Sequence, residues 1–187
     1  SNGFSSILFG VKRTEPSWQP ISVLIGEVAT SFTIELAVAT ANRATHNDQE
    51  QQWKDVAIDN LQLLNCDPHA KDNTTPTLNE TSIDCDFEQN LCGWAVTGGS
   101  INATRSNWYR SRSNTREPGT DHTSLIVPRP PLSGTWLASQ AKQDGTSEVD
   151  YLISRVKLRA HVPYCFSFWF FFFGITLDSS LALYANS

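Results

Sequence analysis

The sequence predicts an all-β fold, an antiparallel jelly-roll-like sandwich of two packed sheets. Short β-branched and aromatic runs recur along most of the chain, several of them alternate apolar with polar residues at period two, and Gly- and Pro-rich turns separate them. With 187 residues the chain has room for one generous domain or one domain with a tether, not for two ordinary domains of about 100–200 residues each. A composition of 40% hydrophobic and 18% charged residues supports a packed core and excludes wholesale disorder.

The first strands are expected over residues 7–11 (ILFGV), 21–25 (ISVLI) and 32–38 (FTIELAV). In the last of these Phe32, Ile34, Leu36 and Val38 alternate with Thr33, Glu35 and Ala37, the pattern of a half-buried sheet. A polar stretch over 40–52 follows, and residues 56–63 (VAIDNLQL) resume a strand that ends at Cys66. Residues 67–84, DPHAKDNTTPTLNETSID, contain two prolines and only Leu78 and Ile83 as large aliphatics, and are expected to form a linker. Beyond it, a long polar loop is expected around 97–123, and strands over 135–138, 151–158, 164–174 and 180–184. The total is nine or ten short strands.

Charge and motifs exclude several functions. The net charge of −5 gives no overall reason to bind nucleic acid or an anionic membrane. The stretch Arg105-Ser106-Asn107-Trp108-Tyr109-Arg110-Ser111-Arg112 interleaves cations with rings, as single-stranded nucleic acid or a sulfated glycan requires. The acidic chain argues instead for a loop whose Trp108 plugs into the core. Pro128-Arg129-Pro130-Pro131 reads as a rigid connector. The most apolar run, residues 166–177, is interrupted by Ser167, Gly174 and Thr176 and falls short of the ~20 residues needed to cross a bilayer, so it is expected to be a buried strand. The chain contains no Met and opens without a basic, then apolar, leader, which is expected of a processed product or a piece of a longer protein.

Asn73, Asn79 and Asn102 stand in N-x-[ST] acceptor motifs, the first weakened by Pro76. Cys66, Cys85, Cys92 and Cys165 form an even set, which in an extracellular protein implies two disulfides drawn from three pairings. Reduced core thiols are the alternative. Cys66-Asp67-Pro68-His69 has the spacing of half a zinc site, but no second such pair exists. His46, His122 and His161 are scattered, Asp121-His122 with Ser124 is too local for a triad, and G-x-S-x-G, H-E-x-x-H and Gly-rich phosphate loops are absent. No enzymatic activity is expected.

Cys85-Asp86-Phe87-Glu88-Gln89-Asn90-Leu91-Cys92-Gly93-Trp94 resembles the opening of a MAM domain, the extracellular module shared by meprins, neuropilins and receptor tyrosine phosphatase mu. Further features follow in family order: Trp108 in the next strand, Thr120-Asp121-His122-Thr123, Gly134-Thr135-Trp136-Leu137, Tyr151-Leu152-Ile153-Ser154 and Tyr164-Cys165-Phe166-Ser167-Phe168-Trp169-Phe170. Leu181-Ala182-Leu183-Tyr184 resembles a strand after which the family continues for another third of its length. That closing third is resembled by residues 6–11, 18–23, 32–38 and 55–66 at the other end. The expected organisation is therefore residues 1–66 as the C-terminal part of a MAM-like domain, 67–84 as a glycosylated linker, and 85–187 as the N-terminal part, completed by residues 1–66 of a neighbouring copy.

Three arrangements fit this order: a monomeric circular permutant, a head-to-tail filament built by strand complementation, and one repeat of a tandem array. A half-domain alone would bare the aromatics of 166–173, each worth about 1.5–3 kcal/mol on burial, so completion by some partner is required. The resemblance implies the pairings Cys85–Cys92 and Cys66–Cys165. It also implies an extracellular structural or adhesive module, secreted or at the cell surface, with itself and N-linked glycans as partners. Assembly into a filament is the first expectation; a fragment of a receptor or adhesion ectodomain is the runner-up, and an accessory domain of a secreted protease is a third class. No cofactor is required, although some MAM domains hold a structural ion, and the matching carboxylates Glu88, Asp121 and Asp59 form an oxygen set suited to Ca²⁺ or Na⁺. Asn60 stands where the family often has a second acid, and solvated or capping roles fit the same carboxylates.

Overall fold

The computed structural model describes residues 5–12, 17–40, 55–65, 83–98, 108–112, 134–140, 148–172 and 179–187. Among the described residues ten strands run in chain order: β1 (Ser5–Lys12), β2 (Gln19–Gly26), β3 (Thr33–Thr40), β4 (Asp55–Asn65), β5 (Trp94–Gly98), β6 (Trp108–Arg112), β7 (Thr135–Gln140), β8 (Glu148–Ser154), β9 (Tyr164–Phe172) and β10 (Ser180–Asn186). They form two five-stranded antiparallel sheets, ordered β1-β10-β3-β8-β5 and β2-β9-β4-β7-β6. The sheets pack face to face as a sandwich, as the alternating runs require.

The two parts of the chain interleave in both sheets. β3 lies between β10 and β8, and β4 lies between β9 and β7. β1 pairs with β10 from Ser5 opposite Asn186 to Lys12 opposite Ser180. One continuous core results, with Phe32, Ile34, Leu36 and Ile58 from the first part against Phe87, Trp94, Leu152 and Phe166 from the second.

β9 explains the apolar run. Its alternate residues Tyr164, Phe166, Phe168, Phe170 and Phe172 all point into the core, and neighbouring phenylalanine rings in this row lie 5.5–6.3 Å apart. Phe171 points the other way and is still only 5% exposed, because a second cluster of Ala57, Trp136 and Ala138 gathers on the outer face of this sheet, with Trp18 against it. The Trp18 ring stands edge-on to Phe171 at 5.8 Å and to Trp136 at 6.4 Å. The end of β9 is thus buried on both faces, and its sequence loses the alternation that a one-sided strand would show.

The outer face of the first sheet differs. Register places Ile7, Tyr184, Glu35, Ile153 and Ala95 in one row across it. The next row is Gly10, Ala182, Ala37, Tyr151 and Thr97. The residues between these rows, among them Leu36, Leu152 and Leu183, belong to the core, so these two rows face away from it.

Several local expectations change. Residues 94–98 and 108–112 are strands, although 97–123 reads as a polar loop. Both are five-residue edge strands paired on one side only, too short to carry a clear period of their own. Trp108 does enter the core, at 7% exposure. β8 stops at Ser154 instead of reaching residue 158. There the Ser154 hydroxyl donates to the Val156 carbonyl at 3.1 Å and accepts the Ile34 amide at 3.0 Å, a local bond that competes with the ladder. Leu158 pairs instead with Phe32 in an isolated bridge. Ile83 and Asp84, expected in the linker, already belong to the sandwich: residues 83–87 alternate buried and exposed, and Ile83 is 2% exposed.

Candidate functional site: the seam between the two parts of the chain

The segment from Ile83 to Trp94 docks against β4 and joins the two parts. β4 carries a bulge here. Asp59 pairs with Trp169 and Gln62 with Ser167, so Asn60 and Leu61 stand opposite Phe168 alone. Asn60 takes a left-handed φ of 49°, and its amide donates to Asp59 Oδ1 at 2.7 Å. Leu61 is thereby turned away from β9 and exchanges both backbone hydrogen bonds with Cys85, at 2.8 and 2.9 Å. The Leu63 amide donates to Asp84 Oδ1 at 2.8 Å, so the end of β4 and the return of the chain at Ile83 lie side by side.

Beyond Cys85 the chain makes a tight, cross-linked turn. The Cys85–Cys92 disulfide spans a Cα–Cα distance of 5.7 Å. Asp86 Oδ1 accepts the Glu88 amide at 3.1 Å, and Asn90 Oδ1 accepts the Cys92 amide at 2.6 Å. These are the side-chain-to-backbone bonds for which Asp and Asn are suited in turns. Phe87 and Cys92 adopt left-handed φ of 56° and 51°, held by the disulfide and by the burial of Phe87 in the core. From β6, Arg110 donates Nε to the Phe87 carbonyl at 2.8 Å and Nη2 to the Glu88 carbonyl at 2.5 Å. Glu88 Oε1 accepts the Thr135 amide at the start of β7, at 2.9 Å. One turn therefore ties β4, β6 and β7 together.

Trp94 closes the seam. Fully buried, it packs at a tilt against Phe166, ring centroids 5.8 Å apart, and donates Nε1 to the Ile83 carbonyl at 2.7 Å. This cross-linked opening, returning through a buried tryptophan into a two-sheet sandwich, falls within residues 85–187, which match the MAM domain, meprin/A5/mu, over that whole span. The chain belongs to the MAM domain family. No solved structure gave a significant match.

Strands β5–β10 lie inside the matched residues of the MAM domain, and β1–β4 precede them. The family is an extracellular, adhesion-type module that is typically non-catalytic, and a MAM domain with a disulfide is typical of extracellular proteins. Cys165 is also disulfide-bonded; Cys66 lies outside the described residues. Leu64 stands opposite Cys165 in the register of β4 and β9, and Asn65, the last residue of β4, opposite Tyr164. The acceptor residues Asn73, Asn79 and Asn102 lie outside the described residues.

Of the three carboxylates implied as cation ligands, Glu88 and Asp59 are described and Asp121 is not. Asp59 is buried one residue beyond Ile58, which pairs with Leu137 of β7, and Glu88 accepts the amide of Thr135 at the start of that strand. Each already accepts one backbone amide through one oxygen. Among the described residues no group of three or more His, Cys, Asp and Glu gathers into a metal-binding cluster.

The basic, aromatic stretch has an internal role where it is described. Trp108 packs in the core and Arg110 binds two carbonyls of the cystine turn. That clamp was not legible from spacing, because its partners are 22 and 23 residues away in the chain. The alternation of Ile83, Cys85 and Phe87 was a readable signal for the docking segment, masked by the polar residues before it.

Proposed function

We propose that this MAM domain is an extracellular structural or adhesive module whose first four strands are a detachable complement to the rest. The observation that carries this is the interior position of β3 and β4 in the two sheets: residues 83–187 leave a gap in each sheet that residues 5–65 fill. Closure within one chain is favoured by the seam. Asn65 and Ile83, the two ends of the connection, flank the Leu61–Cys85 bridge, and a short path suffices between them. A monomeric MAM domain with its strands in permuted order is the result.

Head-to-tail assembly into a filament is the second reading. It is favoured by the length and polarity of residues 66–82, which when extended reach roughly 55–60 Å and permit β1–β4 to be delivered to a neighbouring copy. Non-reducing electrophoresis and sizing of the secreted, oxidised chain separate the two. A single species near 21 kDa plus glycans supports closure, whereas a ladder that collapses on reduction supports a cross-linked filament. A Ca²⁺ or Na⁺ ion held by Glu88, Asp59 and Asp121 belongs to the same proposal. Its expected sign is a rise in Tm on adding calcium that Asp59→Asn abolishes; no rise would remove it.

A further inference from the structure

We propose that the connection from β8 to β9, residues 155–161 (RVKLRAH), binds sulfated glycan chains through Arg155, Lys157 and Arg159. The choice of ligand rests on the extracellular reading above.

Three of the chain's 14 lysines and arginines fall within these seven residues, and no acid stands among them. Arg155, Lys157 and Arg159 are exposed, whereas Val156 packs against the core and Leu158 is buried in it. The alternation anchors the segment by its apolar residues and turns its cations away from the core. The backbone is fastened along its length. The Arg155 amide donates to the Gly93 carbonyl at 2.8 Å, Leu158 and Phe32 exchange hydrogen bonds at 2.7 and 3.2 Å, and the His161 amide donates to the Val28 carbonyl at 2.8 Å. Cations carried on a fastened backbone lose less freedom on binding than those of a loose tail.

The neighbouring elements leave the run cationic. Residues 28–32 (VATSF), to which it is bonded, carry no charge, and the acid next to them is Glu27, beyond the Val28–His161 contact. On the Gly93 side the cystine turn contributes Asp86 and Glu88, whose carboxylates already accept the Glu88 and Thr135 amides.

Charge complementarity calls for a polyanion. The chain's net charge of −5 does not oppose a local contact, because at physiological salt exposed charges more than about 8 Å apart are largely screened. Short basic runs of this kind suit heparin-like or nucleic-acid ligands. Single-stranded nucleic acid needs stacking rings, and the run has no Phe, Tyr or Trp. Anionic lipids lie in the cytoplasmic leaflet, whereas a MAM domain with a disulfide is typical of extracellular proteins, where sulfated polysaccharide is the polyanion to be met.

Titration of the secreted, disulfide-bonded chain with a heparin decasaccharide at about 0.15 M salt tests this. The wild-type chain is expected to bind, and Arg155→Gln and Lys157→Gln are each expected to weaken binding roughly fivefold, the worth of one exposed charge contact. Lys12→Gln removes the same charge at the opposite end of the first sheet, where Lys12 pairs with Ser180, and is expected to bind as wild type does. Circular dichroism melts show that the variants keep the sandwich. A wild-type chain that does not bind overturns the proposal, as does an equal loss in Lys12→Gln, which makes the effect one of net charge. Unsulfated hyaluronan bound as tightly as heparin removes sulfate from it, and tighter binding to phosphatidylserine vesicles replaces the glycan with a lipid surface. Failure here is distinct from failure of the structural reading, which sizing and electrophoresis decide.

Discussion

Polar side chains inside the sandwich each secure a joint that hydrocarbon could not. Ser139 on β7 donates to Asp150 Oδ2 on β8 at 2.8 Å, which ties the two sheets together across a buried gap. Ser154 holds Ile34 of β3, and Trp94 holds Ile83. Glu35 is different, because burial raises its pKa from the ordinary 4.5, opposed by the hydrogen bond from Asn186. The folded chain therefore holds this proton to higher pH than the unfolded chain. The stability it contributes is complete below 4.5 and is lost as pH rises through the raised folded value. Glu35→Gln keeps an acceptor for Asn186 and removes the titration. The variant is expected to be more stable than wild type at about pH 7 and to lose that advantage at about pH 3–4, read from urea midpoints at the two values. An equal midpoint at neutral pH would contradict the burial cost assigned to this carboxylate.

At the scale of elements, strands lying within strong apolar patterns were legible. β3 alternates over its length, β9 is too apolar to be anything but buried, and both were expected close to where they lie. β5 was not, and β6 only through the resemblance that puts Trp108 in a strand, because an edge strand five residues long needs a neighbour's ladder more than it needs a pattern of its own. β2 ends at a register shift between Leu24 and Gly26, where Gly26 adopts a φ of 70°. A Cβ at Gly26 would meet nothing within 4 Å, so any cost of substitution lies in the backbone. Gly26→Ala is expected to destabilise by about 1–2 kcal/mol, the cost of a left-handed residue bearing a Cβ. Gly10→Ala, equally open and without a left-handed φ, is expected to stay within about 0.5 kcal/mol of wild type in the same urea titration.

For the molecule as a whole, completion of the two sheets decides whether there is a fold at all. Residues 83–187 expressed alone leave β9 and β10 without either neighbour and β7 and β8 without one, and would bare the inward phenylalanines of β9, each worth about 1.5–3 kcal/mol when buried. That fragment is expected to show no cooperative melt by circular dichroism. Adding residues 1–66 in trans is expected to restore one. A cooperative melt of the fragment alone would mean that β3 and β4 are dispensable. Composition and alternation determined by themselves that this chain is an all-β sandwich, because side-chain period and turn chemistry are local properties, and the Cys85–Trp94 motif carried the resemblance to the MAM family that the match over residues 85–187 bears out. Only the tertiary structure decided that β3 and β4 enter the middle of each sheet, that a bulge hands Leu61 to Cys85, and that Arg110 serves the cystine turn. Those contacts join residues far apart in sequence, and their geometry exists only once the sheets have closed.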